Sequence, residues 1–216
     1  MVVVVEIAHD LSVRPRPRSV LIRPGRHSTR SEHLSSGAVD AGDAIADAQR
    51  IADEVLFPAA QRVDGADRIP DAHLTALAGA GLYGAAGPPE HGGLGLTFPE
   101  VRRAMAAVAS GCGATFFTWA QHLTLTLQLA ATENHGLQEE MLADLCAGRT
   151  MAGIVFAHLR RPDRPVAATR VDGGWRLDGA APWATAWGIA DCFSLVAESD
   201  SGDAVWMVVD GDDRPG

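Results

Sequence analysis

The side chains of this sequence that could do chemistry form none of the widespread catalytic patterns. The sequence has no Walker phosphate loop, no G-x-G-x-x-G after a predicted strand, no H-E-x-x-H and no G-x-S-x-G. None of the eight histidines pairs with another histidine or a cysteine at ligand spacing, so no metal site is predicted. Cys112, Cys146 and Cys192 match no zinc or redox pattern, and we expect buried, reduced thiols of a cytoplasmic protein.

Two unusual segments remain, and each has an ordinary structural explanation when it is taken alone. Residues 87–96 (GPPEHGGLGL) form a Gly/Pro-rich link, in which glycine permits positive φ and proline fixes φ. Further along the chain, Trp183 and Trp187 flank Thr185 just before a predicted strand. An isolated W-x-T of this kind favours core aromatic residues that cover the end of a sheet.

Composition and charge exclude several classes of protein. The 216 residues are 47% hydrophobic, which is enough to bury a core. A formal net charge of −9 argues against a nucleic-acid-binding surface, which needs clustered positive charge. Residues 104–132 carry no Asp, Glu, Lys or Arg and are long enough to span a bilayer. Their Ser, Thr, Gln and His side chains and the Gly-Cys-Gly break at 111–113 favour two buried or half-buried helices instead.

The N-terminal residues 1–37 differ from the rest of the chain. They hold six arginines against three acidic residues, three prolines, and no sustained helical or strand period. This composition predicts a disordered basic arm. A basic interaction tail and a misplaced start codon both remain open explanations.

Residues 38–148 have the pattern of a helical domain. An amphipathic helix is predicted over 38–63, ending near Pro58 or just after it, and a second begins at Pro70 and Asp71. Further helices are predicted at residues 98–110, 114–132 and 136–146.

From about Thr150 the period changes to that of strands. They are predicted at 151–157, 168–171, 175–177, 192–197 and 204–209, with a hairpin around residues 172–174. This order predicts an α+β fold, in which an all-α domain (38–148) precedes an antiparallel β-domain (149–216). So small a sheet would have unpaired edges, so we expect the β-domain to be incomplete and the chain truncated.

The two unusual segments gain a specific meaning together with their neighbours. Residues 81–84 (GLYG) and 89–96 (PEHGGLGL) resemble the helical-domain signature of the acyl-CoA dehydrogenase family. Residues 148–150 (GRT) resemble the family's entry into its β-domain. Residues 172–179 (DGGWRLDG), 183–185 (WAT) and 188–191 (GIAD) resemble its flavin-facing strands in the same order. The resemblance covers about residues 45–210.

The resemblance implies an FAD-dependent oxidoreductase that dehydrogenates an acyl-CoA or related thioester between its α and β carbons. Trp183 would shield part of the flavin ring system, and the hydroxyl of Thr185 would reach flavin N5. The strand end at Phe156, Ala157 and His158 would supply backbone amides to the pyrimidine edge.

The family's catalytic glutamate, and its oligomer contacts, belong to a second helical bundle that the resemblance places beyond residue 216. We therefore predict no catalytic residue within this chain. A homo- or hetero-oligomer formed through that bundle is expected, without a nucleic-acid or membrane partner.

The sequence departs from the family pattern in three places. The usual Thr-Glu-Pro is replaced by Ala157, His158 and Leu159, so a hydroxyl hydrogen bond of about 0.5–1.5 kcal/mol is lost. A Gly/Ser-rich phosphate loop is replaced by residues 160–165 (RRPDRP), whose arginines could still neutralise a pyrophosphate. The lysine that often precedes W-x-T is Ala181.

Two other functions stay open. A flavin-dependent monooxygenase on the same fold needs no base for an α-proton, and the altered edge at Ala157 and His158 is compatible with it. A non-catalytic remnant or helper subunit would bind a partner chain through apolar helix faces that the absent bundle leaves uncovered.

Overall fold

The computed structural model describes residues 41–160, 166–172 and 174–211. These residues form two compact units, which divide between Met151 and Ala152. The first unit is helical and the second contains a five-stranded sheet, so the predicted α+β class is confirmed. The arm predicted at 1–37 lies outside the described residues, as do residues 161–165 of the loop predicted to approach the phosphates.

The helical unit follows the predicted order closely. Its α-helices are α1 (Ala41–Ile51), α2 (Ala60–Asp64), α3 (Asp71–Gly79), α4 (Phe98–Gly111), α5 (Gly113–Ala131) and α6 (His135–Cys146). A π-helical turn (Ala52–Leu56) and a 3-10 turn (Phe57–Ala59) join α1 to α2, and 3-10 turns lie at Leu82–Gly84 and Pro89–His91.

The π-helical turn interrupts the single helix predicted over residues 38–63. It lies where the helix meets the end of α4, because a β carbon added to Gly111 would be 2.8 Å from Cα of Ala52 and 2.8 Å from Cβ of Leu56. The two backbones therefore touch at this crossing, and the absence of a side chain at Gly111 permits it.

The Gly/Pro-rich link folds back on itself through backbone contacts. The N–H of Leu94 donates to the carbonyl of Gly84 at 2.8 Å, and a β carbon on Gly93 would lie 2.2 Å from the carbonyl oxygen of Gly87. A β carbon on Gly87 would lie 2.3 Å from Sγ of Cys146. Glycine is required here by close backbone approach, and the buried Cys146 thiol forms the floor of the link.

Helix α5 has no charged residue, and it buries polar side chains as well as apolar ones. His122, Thr115 and Thr126 are fully buried, and the His122 ring centroid lies 4.6 Å from that of Tyr83. Burial lowers the pKa of His122 to about 4, although hydrogen bonds with the backbone of Leu145 and Tyr83 act in the opposite direction. Among the described residues, no helix has the length and hydropathy needed to cross a bilayer.

The chain leaves α6 through a Schellman motif. Gly148 has φ +68°. Its N–H donates to the carbonyl of Leu145 at 3.0 Å, and the N–H of Arg149 donates to the carbonyl of Asp144 at 2.9 Å. A left-handed residue after the helix is the usual position for glycine in this motif. The Gly-Arg-Thr segment thus ends a helix before the first strand begins.

The sheet of the second unit is mixed rather than purely antiparallel as predicted. Its strands are β1 (Ala152–Val155), β2 (Ala167–Val171), β3 (Gly174–Asp178), β4 (Cys192–Ser199) and β5 (Ala204–Asp210). The pairs β2–β3 and β4–β5 are antiparallel, whereas β1 and β2 both pair with β4 in parallel. These parallel pairs join segments that are distant in sequence, and strand patterns carry no signal for them.

Strand β4 organises this unit. It pairs with β5 along residues 192–198, so β1 and β2 must share its opposite edge. One face of β4 buries Phe193, Leu195 and Ala197 in an apolar core with residues of the other strands and the loop after β3. Ala181, where the family pattern often has lysine, is 1% exposed in this core.

We expect Gly111→Ala to destabilise the helical unit by about 1–3 kcal/mol, because the added methyl group meets backbone rather than a flexible side chain. Urea unfolding followed by circular dichroism measures the loss. Gly113→Ala is the matched control, since a β carbon there meets nothing within 4 Å. Equal stability of the two variants would contradict the close crossing.

We also expect stability to fall as the pH drops from about 6.5 to about 4. The unfolded chain takes up a proton on His122 near the ordinary pKa, whereas the folded chain does so only near pH 4, which amounts to about 3 kcal/mol over this window. The difference in unfolding free energy between wild type and His122→Gln, measured at several pH values, isolates this residue. Parallel pH profiles for the two proteins would rule it out.

Candidate functional site

The W-x-T segment lies along the edge of β1 that faces away from β4. The N–H of Thr185 donates to the carbonyl of Ile154 at 3.1 Å. Gly153 makes this approach possible, because a β carbon there would lie 2.3 Å from the carbonyl oxygen of Thr185 and 2.6 Å from the ring of Phe193. The loop and strand are therefore held together by backbone contact at a position that tolerates only glycine.

The side chains of Trp183 and Thr185 are joined by a hydrogen bond. Nε1 of Trp183 donates to Oγ1 of Thr185 at 3.2 Å. Thr185 is buried, whereas Trp183 is 60% exposed, which is unusual for a large aromatic residue. Since the Thr185 oxygen accepts from Trp183, its own proton remains available to donate.

The backbone after Thr185 is in a rarely populated conformation. Ala186 has φ +65°, the single positive value among the described non-glycine residues. The carbonyl of Ala186 accepts from the N–H groups of Ile189 and Ala190 at 2.9 and 2.8 Å, so a tight turn holds this conformation. Left-handed backbone at a residue with a β carbon costs about 1–2 kcal/mol and often marks a functional segment.

The predicted strand end departs from β1 immediately after Val155. Phe156 and Ala157 are half-buried, and the N–H of Leu159 donates to the carbonyl of Phe156 at 3.0 Å. His158 is 2% exposed, and its Nε2 lies 2.6 Å from the carbonyl oxygen of Val196. Its imidazole thus faces β4 rather than solvent.

All the residues predicted to bind the flavin lie in the β unit, on two neighbouring segments. Trp183 and Thr185 lie beside Ile154, and Phe156, Ala157 and His158 follow Ile154 along the chain. Their role toward a flavin remains a prediction. Sequence reasoning did not single out Gly153, although glycine inside an apolar strand is a recognised sign of close backbone approach. Ala186 has no sequence signal, since alanine does not favour positive φ.

Comparison with known proteins assigns the chain to a family. The sequence model described as "Acyl-CoA dehydrogenase, N-terminal domain" matches residues 43–149. The benzylmalonyl-CoA dehydrogenase of Aromatoleum aromaticum is 29% identical over 175 residues, which are 77% of this chain and 46% of that protein. The chain belongs to the acyl-CoA dehydrogenase family. It spans less than half the length of this curated relative.

Solved structures share the fold. The butyryl-CoA dehydrogenase of Megasphaera elsdenii aligns with a TM-score of 0.71 and 19% identity, over 85% of this chain and 51% of that one. The FMN-bound dibenzothiophene monooxygenase TdsC of Paenibacillus sp. A11-2 aligns with a TM-score of 0.69 and 21% identity, over 78% of this chain and 44% of that one. The same fold therefore occurs in a dehydrogenase and in a flavin-binding monooxygenase.

We expect Gly153→Ala to separate the W-x-T segment from β1, because the methyl group would overlap the Thr185 carbonyl. Overpacking of this kind costs about 1–3 kcal/mol. Hydrogen exchange of the Thr185 amide should become faster as its bond to Ile154 opens. Unchanged exchange at Thr185 together with unchanged stability would show that the strand accommodates a side chain here.

Proposed function

We propose that this chain is the flavin-facing part of an FAD-dependent oxidoreductase of the acyl-CoA dehydrogenase type. The substrate would be an acyl-CoA or related thioester, dehydrogenated between its α and β carbons. Membership of the family and the wider resemblance support this assignment. A homo- or hetero-oligomer and a cytoplasmic location are part of the same proposal.

The observation that carries the proposal is the hydrogen bonding of the Thr185 hydroxyl. Its oxygen accepts from Trp183, and its backbone is anchored on β1 through Ile154. The remaining hydroxyl proton is thereby directed, and a pre-oriented donor stabilises charge without reorganisation when that charge develops. This donor suits N5 of an isoalloxazine ring, and the exposed indole of Trp183 offers a flat apolar surface to shield the same ring.

The strand end supplies the second set of donors. The backbone N–H groups of Phe156 and Ala157 make no hydrogen bond to any residue that the structure describes. Backbone amides suit the pyrimidine edge of a flavin, where negative charge develops on reduction. They remain at this edge although Ala157 lacks the hydroxyl that the family usually has there.

When bound, the flavin would supply the acceptor for the hydride that leaves the β carbon of the thioester. The chain's own residues would orient that acceptor: Thr185 would donate to N5, the amides of Phe156 and Ala157 would hold the pyrimidine edge, and Trp183 would cover the ring. Removal of the α-proton needs a general base, and no residue of this chain is assigned that role.

A flavin-dependent monooxygenase is the second candidate. It is favoured by the loss of the threonine at Ala157 and by the shared fold of TdsC. Reduction of bound flavin by an acyl-CoA under anaerobic conditions, in a complex that includes any further chain the enzyme needs, would support dehydrogenation. Consumption of oxygen by the reduced complex, with hydroxylation of an added aromatic substrate and no reaction with acyl-CoA, would support the alternative.

The direct test is flavin binding by the purified chain, followed by visible absorbance and by quenching of flavin fluorescence. We expect FAD to bind, and Thr185→Val to weaken binding about threefold to tenfold, since one hydrogen bond is lost without a change of shape. Thr185→Ser keeps the hydroxyl and is the matched control. A parallel titration with FMN tests whether the adenylate half contributes.

Two results would refute the proposal. One is a folded chain that binds neither FAD nor FMN. The other is FAD binding that Thr185→Val leaves unchanged, which would show that the W-x-T segment does not contact the flavin.

A further inference from the structure

A gap in the β ladder lies next to the candidate flavin edge. Along one edge of β4, β1 pairs as far as Leu195 and β2 resumes at Glu198. Val196, between these two positions, pairs with Trp206 of β5 on the opposite edge. On the edge that β1 and β2 share, no strand among the described residues supplies a partner for the carbonyl of Val196.

The carbonyl of Val196 points into this gap. The N–H of Glu198 donates to the carbonyl of Val166 at 2.9 Å, so the backbone groups of Glu198 face the shared edge. Backbone groups two residues apart on a strand face the same edge, so those of Val196 do as well. If β1 continued at its observed parallel register, the Val196 carbonyl would accept from the N–H of Ala157.

The imidazole of His158 hydrogen-bonds to that carbonyl instead. Its Nε2 lies 2.6 Å from the Val196 oxygen, and since a carbonyl only accepts, Nε2 carries the proton. The other ring nitrogen, Nδ1, is buried and has no hydrogen-bond partner among the residues that the structure describes. Within the described part of the chain, the one hydrogen bond of this buried ring is therefore the bond that replaces a ladder bond.

We propose that His158 is a positioning residue that ends β1 and keeps the N–H of Ala157 free for a ligand. By taking the Val196 carbonyl, its ring prevents Ala157 from joining the ladder and fixes the following turn, Ala157–Arg160. This inference rests on the proposed flavin site, and it gives the altered strand end a specific mechanism. The residue that stands where the family has glutamate thus orients the neighbouring amide through β4.

The test compares His158→Leu, which removes the donor, with His158→Gln, whose amide nitrogen can still donate to Val196. In the chain without flavin, His158→Leu should let Ala157 pair with Val196, so exchange of the Ala157 amide should slow about tenfold. His158→Leu should also weaken FAD binding about threefold to tenfold, whereas His158→Gln should stay within about threefold of wild type in both measurements.

The outcomes separate this role from a merely structural one. Loss of stability with faster exchange throughout β1, and no protection of Ala157, would overturn the proposal. Equal FAD affinity of wild type and His158→Leu, or equal losses in the leucine and glutamine variants, would overturn it as well. A wild-type chain that binds no flavin refutes the proposed function, and the exchange of Ala157 in the flavin-free variants then still shows whether His158 holds that amide out of the ladder.

Discussion

The candidate flavin site depends on one backbone hydrogen bond, from the N–H of Thr185 to the carbonyl of Ile154. It brings a loop that follows β3 onto the edge of β1 that faces away from β4, although the two residues are far apart in sequence. The bond is possible because Gly153 has no side chain to hold the loop away. Thr185 can then present its hydroxyl beside the strand end, with its oxygen already bound by Trp183.

The same strand shows how a binding edge can survive the loss of an expected side chain. Ala157 has no hydroxyl, but backbone amides do not depend on side-chain identity. What decides their availability is whether the sheet uses them, and the ring of His158 takes the acceptor on Val196 that would otherwise do so. By hydrogen-bonding to β4, the buried side chain of His158 thus determines whether the Ala157 amide of the neighbouring strand is available to a ligand.

Sequence reasoning located the helices well, because their signals are local. The helix predicted at 98–110 is observed as Phe98–Gly111, and it begins with a capping box in which Thr97 and Glu100 bond reciprocally. The side-chain and backbone hydrogen bonds from Thr97 lower the pKa of Glu100. The π-helical turn at Ala52–Leu56 was missed because it lies at a contact with Gly111, which is about sixty residues further along the chain. Local sequence patterns do not report such a contact.

Strand prediction was correct about existence and less so about extent and partners. The apolar run 151–157 pairs with β4 only over Ala152–Val155, since the chain turns where His158 reaches Val196. The hairpin of β2 and β3 was predictable from its glycine turn, whereas the parallel pairing of β1 and β2 with β4 was not.

By itself, the sequence determined the order of helices and strands, the family, and the residue types at Trp183 and Thr185, because periodicity, glycine spacing and motif order are written locally in the chain. Only the tertiary structure decided that Gly153 admits the Thr185 backbone, that Ala186 holds a left-handed turn, and that His158 binds Val196. These are contacts between distant segments, and their geometry arises only when the strands have paired.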